Sequence, residues 1–344
     1  MYRRNFLASS ALLPHIIANT ANAAVPEVTS PVYKRRDAEI VFHTTDGYPE
    51  NWKSIYQSTI EHYANRWGRV GPTHIYLIEN TDWDPATLTD DRRDQLEESI
   101  RSLKHSFAKL QGHDSDGQDL DWRTGNHWAG WSIEPAHVTI TMTMTPFRDA
   151  PQFVIGPIHE YTHALQTAYG YSAEAIDGNQ MGHSRWTGPA WWREGSAVLI
   201  SYLYSYKNPT LFKKLQKPLT WQNFSHEMNR NLNLYQQARI SIRSGVTHDD
   251  WQRLEKLNKV HPVVYAGGSV ACARLLQRVG SLRELFAFLQ KVPTMGWEPA
   301  FEQHFQLPLS SFYQQFEADM LNTKPHLDRK SKHDDWAEFL RTIN

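Results

Sequence analysis

His159-Glu160-Tyr161-Thr162-His163 stands near the middle of the chain, and the reading of this pentapeptide decides the architecture around it. Residues four apart lie on one face of a helix, so the two imidazoles can close on a single metal ion. Glu160, next to the first imidazole, then sits at the edge of that ion, where a hydrolytic site needs a base. The bland alternative is a chance match in a chain with 17 histidines. Two things separate the readings: a helix under the motif and a third ligand at a workable distance.

Periodicity supplies the helix. Ile155, Ile158, Thr162, Leu165 and Tyr169 recur at steps of three and four, an inward stripe beside His159 and His163. Pro157 has no amide proton and is tolerated in a first turn, so the helix is predicted to begin near Phe153 or Val154. Gly170 is its expected end. Just upstream, Val138, Ile140, Met142 and Met144 alternate with Thr139, Thr141, Thr143 and Thr145, the period of a half-buried strand. That strand is either a sheet edge that an extended peptide could join by main-chain hydrogen bonds or an ordinary member of the sheet.

A catalytic zinc ion takes three protein ligands and leaves a fourth position for water. Cys272 is the only cysteine, so the metal must be held by histidine and carboxylate, and no disulfide can form within the chain. Cys272 itself falls in an apolar helical pattern and reads as a buried core thiol. After the polar connection Tyr171 to Gly188, Pro189 suits a first helical position, and Leu199, Ile200, Tyr202 and Leu203 continue an apolar helix. Glu194, one turn in, is a carboxylate in apolar surroundings; burying it unpaired is costly, and a zinc ion would remove that cost. His183 competes as third ligand from within the connection. Ligands work best on rigid elements, which favours Glu194.

His159-Glu160-x-x-His163 followed by Trp191-x-x-Glu194-Gly195-x-Ala197 resembles the gluzincin metallopeptidases, in particular their peptidase MA-like branch. Tyr265 to Gly280 and Trp297 to Phe316, with Ala300, Phe301 and Phe305, extend the resemblance over residues 138 to 320. The Gly-x-x-His extension of metzincins is absent, since Gln166 and Tyr169 stand in those places, and there is no Gly-x-Met-Glu-Asn exopeptidase motif. The resemblance implies an α+β, gluzincin-like fold: an N-terminal α/β lobe with a mixed sheet, a mostly helical C-terminal lobe, and a zinc cleft between them floored by the motif helix. It also implies hydrolysis of peptide bonds, with His159, His163 and Glu194 on one zinc ion and Glu160 as general base. By the position of the family's tyrosine, Tyr265 is the candidate oxyanion donor. A plain core tyrosine is the alternative there, and His261 is the runner-up donor.

Two further functions fit the same residues. The 13 tryptophans and 15 tyrosines could stack on glycans in a non-catalytic cell-envelope binding protein on a metallopeptidase fold. A complete motif that keeps its base argues against that. A zinc amide hydrolase acting on cell-wall peptides is not separable from a peptidase at this level.

At 344 residues, 40% hydrophobic and 12% aromatic, the chain can bury a substantial core. Its 36 basic and 37 acidic residues nearly cancel, so nothing suggests a nucleic-acid partner; the expected partner is a peptide or protein substrate. Arg3 and Arg4, the mildly apolar run Phe6 to Ala18, and Ala21-Asn22-Ala23 read as a cleaved targeting segment, resembling a twin-arginine export signal. The run is too short to span a bilayer, so a periplasmic or secreted protein without an integral membrane segment is expected. The organisation is then 1–23 signal peptide, 24–170 α/β lobe, 171–322 helical lobe, and 323–344 linker with a short helix from Asp334 to Leu340. Strands over Glu39 to Thr44 and Thr73 to Glu79 and helices over Glu50 to Trp67 and Thr89 to Leu110 complete the first lobe. Asp114, Asp116, Asp119 and Asp121 invite a calcium-loop reading, but placing Gly117 sixth puts Gly112 first and Arg123 twelfth, so a polar surface loop fits better. Asn208 to Asp250 is polar, and Asn229 to Tyr235 has no clear period.

Overall fold

The computed structural model describes residues 38–79, 89–110, 127–133, 136–144, 152–169, 187–209, 221–245, 248–325 and Trp336. The expected targeting segment, the Asp-rich loop, His183 and, apart from Trp336, the expected terminal helix lie outside these residues.

The first half is built around a four-stranded sheet. Strand β1 (Ile40–Thr44) leads into helix α1 (Glu50–Trp67), β2 (Thr73–Glu79) into α2 (Asp90–Leu110), and then β3 (His127–Ile133) and β4 (Ala136–Met144) follow. The sheet order is β1-β2-β4-β3, with β1, β2 and β4 parallel and β3 antiparallel to β4. The threonine-alternating strand is therefore an inner one, paired by β2 on one side and β3 on the other, and it has no open edge. Hairpin pairing with the Trp128-bearing stretch takes that position, so among the described strands the outer place beside β4 falls to β3. Ile75, Leu77 and Ile140 are fully buried on the side of the main core, and Tyr76 and Ile78 on the other face meet Ile100 and Leu103 of α2.

The motif helix α3 (Gln152–Tyr169) follows β4 and packs against α1, β3 and β4. It starts one residue earlier than the proline predicts, so Pro157 lies in the second turn and has no N–H to give the Phe153 carbonyl. Side-chain bonds fasten α3 to α1 and its exit. Tyr63 and Thr162 share a hydrogen bond of 2.9 Å, Thr162 donates back to the Ile158 carbonyl at 2.7 Å, and the Tyr161 hydroxyl accepts from the Val70 N–H at 3.2 Å.

The second half is helical. Helix α4 (Ala190–Lys207) is entered from Pro189, whose carbonyl accepts from the N–H groups of Trp192 and Arg193. Helix α5 (Trp221–Ala238) runs through the stretch with no evident period. Phe224, Met228, Leu232 and Tyr235 are its buried stripe, a helical spacing that the interspersed asparagines obscure. Asn229 and Asn231 sit inside that stripe because their amides are satisfied, by the Ser225 carbonyl at 3.1 Å and the Ser269 hydroxyl at 2.9 Å. Then come α6 (His248–Lys256), a π-helical turn (His261–Gly267), α7 (Gly268–Val279), α8 (Leu282–Ala287), α9 (Val292–Met295), α10 (Trp297–Phe305) and α11 (Leu309–Asn322). Helix α7 stops at Gly280, whose φ of 76° is a left-handed conformation that glycine adopts without cost.

One core cluster runs from Tyr56 of α1 through the sheet and α3 to Met320 of α11. Trp191 is at its centre, fully buried, stacked on Phe312 and donating its indole N–H to Tyr313 at 3.0 Å. The partly buried Trp336 packs on the same cluster. A second buried polar arrangement lies on α11. The Glu317 carboxylate accepts from the Tyr235 hydroxyl (2.7 Å), the Ser241 hydroxyl (2.8 Å) and the Ile242 N–H (3.1 Å).

Candidate metal centre

Helices α3 and α4 cross so that three side chains from two distant stretches meet. The His159 and His163 Nε2 atoms are 3.1 Å apart, and the Glu194 Oε2 lies 3.3 Å from each. Their side chains keep 15–18% of their surface exposed, so the cluster is largely enclosed. These three residues could hold a metal ion, and they are the group of that kind among the described residues.

What places Glu194 there is the close approach of α4 to α7. A Cβ on Gly195 would sit 2.1 Å from the Gly268 carbonyl carbon, and one on Gly268 would sit 2.2 Å from the Trp191 carbonyl oxygen. Only two glycines allow the backbones to touch. The Trp-x-x-Glu-Gly sequence thus has a physical basis: Trp191 anchors the helix in the core, Gly195 admits α7, and Glu194 is left facing the motif.

A second residue fixes the histidine. The Gln166 amide N–H groups go to the Arg193 carbonyl (3.0 Å) and the Ser196 hydroxyl (2.7 Å), which turns its amide oxygen to His163 Nδ1 at 2.9 Å. That oxygen can only accept, so Nδ1 carries a proton, and when the ring is neutral it is Nε2 that presents its lone pair to Glu194. A lone pair facing a carboxylate is repulsive unless positive charge stands between them. A bound cation or a second proton on Nε2 can each supply that charge: burial pulls the His163 pKa down, but the Glu194 charge and hydrogen bond, helped by Glu160 and Gln166, carry it up to about 9. Burial raises Glu194, yet the two imidazoles overcome it and hold the carboxylate well below its ordinary range. The three side chains form a group that could hold a metal ion. Gln166, buried and three residues past a ligand histidine, is a site residue that sequence reading passed over. Its i,i+3 spacing from His163 was the available signal.

Glu160 is buried beside the ligands, its pKa raised by burial and by Glu194 against the opposing pull of His159 and His163. Tyr265 lies in the π-helical turn ahead of α7 rather than at the head of the α-helix itself. Its ring is nearly parallel to His159 at 6.3 Å, and its hydroxyl is close enough to the Glu194 carboxylate for the two to interact. Burial and then the Glu194 and Glu160 charges raise the phenol, with Arg193 opposing, so it remains a proton donor at neutral pH. His261 stacks on Tyr265 at 5.9 Å and is exposed. Cys272 is fully buried, its thiol pushed up by burial.

No family model, characterised protein or solved structure matches the chain. No helix among the described residues is long and apolar enough to cross a membrane.

Proposed function

We propose that the protein is an exported zinc metallopeptidase of the gluzincin type, in which His159, His163 and Glu194 hold the ion. The observation that carries this reading is the convergence of the three donor atoms beside a buried glutamate. Bonds of about 2.0–2.1 Å at tetrahedral angles put ligand atoms about 3.3–3.4 Å apart. The donor–donor distances of 3.1, 3.3 and 3.3 Å are close to that edge. When bound, zinc supplies Lewis acidity, lowering the pKa of a water toward about 7 and polarising a carbonyl.

The chain's own groups do the rest. Glu160 takes the proton of the attacking water and delivers it to the leaving amine, and its burial raises its basicity for that exchange. Gln166 keeps His163 in the tautomer that offers Nε2. Tyr265, held as the neutral phenol with its ring 6.3 Å from that of His159, is the candidate donor for the oxyanion that develops on the substrate carbonyl. Strand β3, paired on one side with β4 among the described strands and packed against the motif helix, offers main-chain groups to an extended peptide.

Hydrolysis by the purified protein tests the reading. Peptide cleavage that is lost on chelation, restored by zinc and abolished in Glu160→Gln supports it. Cleavage unchanged by Glu160→Gln would sink it.

A further inference from the structure

We infer that Arg193 recognises a carboxylate on the substrate, carried either by the peptide C-terminus or by an acidic side chain close to the bond that is cut. The identity of the molecule bearing that carboxylate rests on the peptidase reading above; the anion site itself does not.

Arg193 immediately precedes the ligand Glu194 on α4 and is only partly exposed. Its backbone is fixed, since its carbonyl accepts from both Gln166 and Ser196. Its Nε is buried with no hydrogen-bond partner, and no carboxylate among the described residues pairs with its guanidinium. Two other arginines do pair with carboxylates, Arg230 with Glu227 and Arg253 with Asp250, each at 3.1 Å. A guanidinium taken partly out of water without an acceptor is costly, and the natural acceptor for its planar fork is a carboxylate bound through two parallel hydrogen bonds.

The charges of the centre point the same way. Glu160 and Glu194 together offset one divalent ion, so Arg193 is the surplus positive charge next to it. Its charge is close enough to oppose the rise of the Tyr265 phenol pKa. A neutral peptide leaves that charge unanswered, whereas a peptide with one carboxylate in reach neutralises it.

The test measures binding on zinc-loaded Glu160→Gln protein by titration calorimetry, using matched peptide pairs. One pair differs as C-terminal acid against amide, the other as internal Glu against Gln in an amidated peptide. The carboxylate member of at least one pair is expected to bind about 10- to 100-fold more tightly, the range for bonds to a charged group. The first pair assigns the C-terminus and the second the side chain. In Arg193→Gln the ratio should collapse to within about two-fold. In Arg193→Lys it should fall partway, because an ammonium cannot form the fork. Circular dichroism and zinc content report whether each variant is folded; if Arg193→Gln is not, the Arg193→Lys ratio decides.

Equal binding within both pairs, an undiminished ratio in the variants, or no binding of any member at millimolar concentration overturns the inference. The two readings fail separately. Carboxylate preference with no hydrolysis by the wild type removes the peptidase reading and leaves Arg193 its role, and hydrolysis without preference does the reverse.

Discussion

Glu194 and Glu317 are two partly buried glutamates on helices of the same half, and they are satisfied in opposite ways. Glu317 receives three donors from the fold: the Tyr235 and Ser241 hydroxyls and the Ile242 N–H. Nothing further is asked of solvent or ligand there, and the carboxylate serves to pin the chain between α5 and α6 onto α11. Glu194 instead faces two imidazole nitrogens, each 3.3 Å from its Oε2, whose charge and hydrogen bonds hold the carboxylate well below its ordinary range. The same chemical group is a fastening in one place and a socket in the other. What distinguishes them is whether the neighbours are fixed hydroxyl and amide donors or imidazoles, which can exchange a proton for a metal ion, not how deeply the carboxylate lies.

That contrast can be broken at either end. The largest effect is expected from Glu160→Gln, which should lower peptide hydrolysis by about 100- to 10,000-fold while zinc content stays near one per chain. Loss of zinc in that variant would mean that Glu160 belongs to the socket itself. Glu317→Ala should cost about 3 kcal/mol of stability by orphaning buried donors, read as a lower midpoint in urea, with zinc binding intact. Chelation should do the complementary thing. At zinc one hundred times its dissociation constant, its removal should lower wild-type stability by about 2.7 kcal/mol and leave a Glu194→Ala variant unmoved. Gln166→Leu should leave the fold in place but weaken zinc about 10- to 100-fold, measured by competition with a chromogenic chelator. An unchanged affinity would show that the His163 tautomer is set by something other than Gln166.

The sequence was most readable where local pattern and tertiary use coincide. Glu50–Trp67 and Thr73–Glu79 have the bounds that their apolar periods mark. His159, His163 and Glu194 were nameable because helix geometry fixes the first two and an apolar setting makes the third conspicuous. Where polar residues are buried and satisfied by distant partners, the pattern fails. Asn229 and Asn231 hid the stripe of α5, since their acceptors, one of them on Ser269, are not visible in a local window. Strand order was equally hidden. Val138 to Thr145 alternates like an edge strand, but alternation reports which face is buried and not how many neighbours share the backbone. Gln166 and Arg193 were passed over because each acts through a residue on another element: one through the tautomer of His163, the other through the acceptor it lacks.

The contact between Gly195 and Gly268 has a consequence in time. The helix that carries Glu194 takes its final position only when α7, encoded more than seventy residues later, has docked against it. Ligands read early from a growing chain therefore cannot form the socket until its last third has arrived. Any metal ion that these three residues hold is therefore captured late, after α7 has docked.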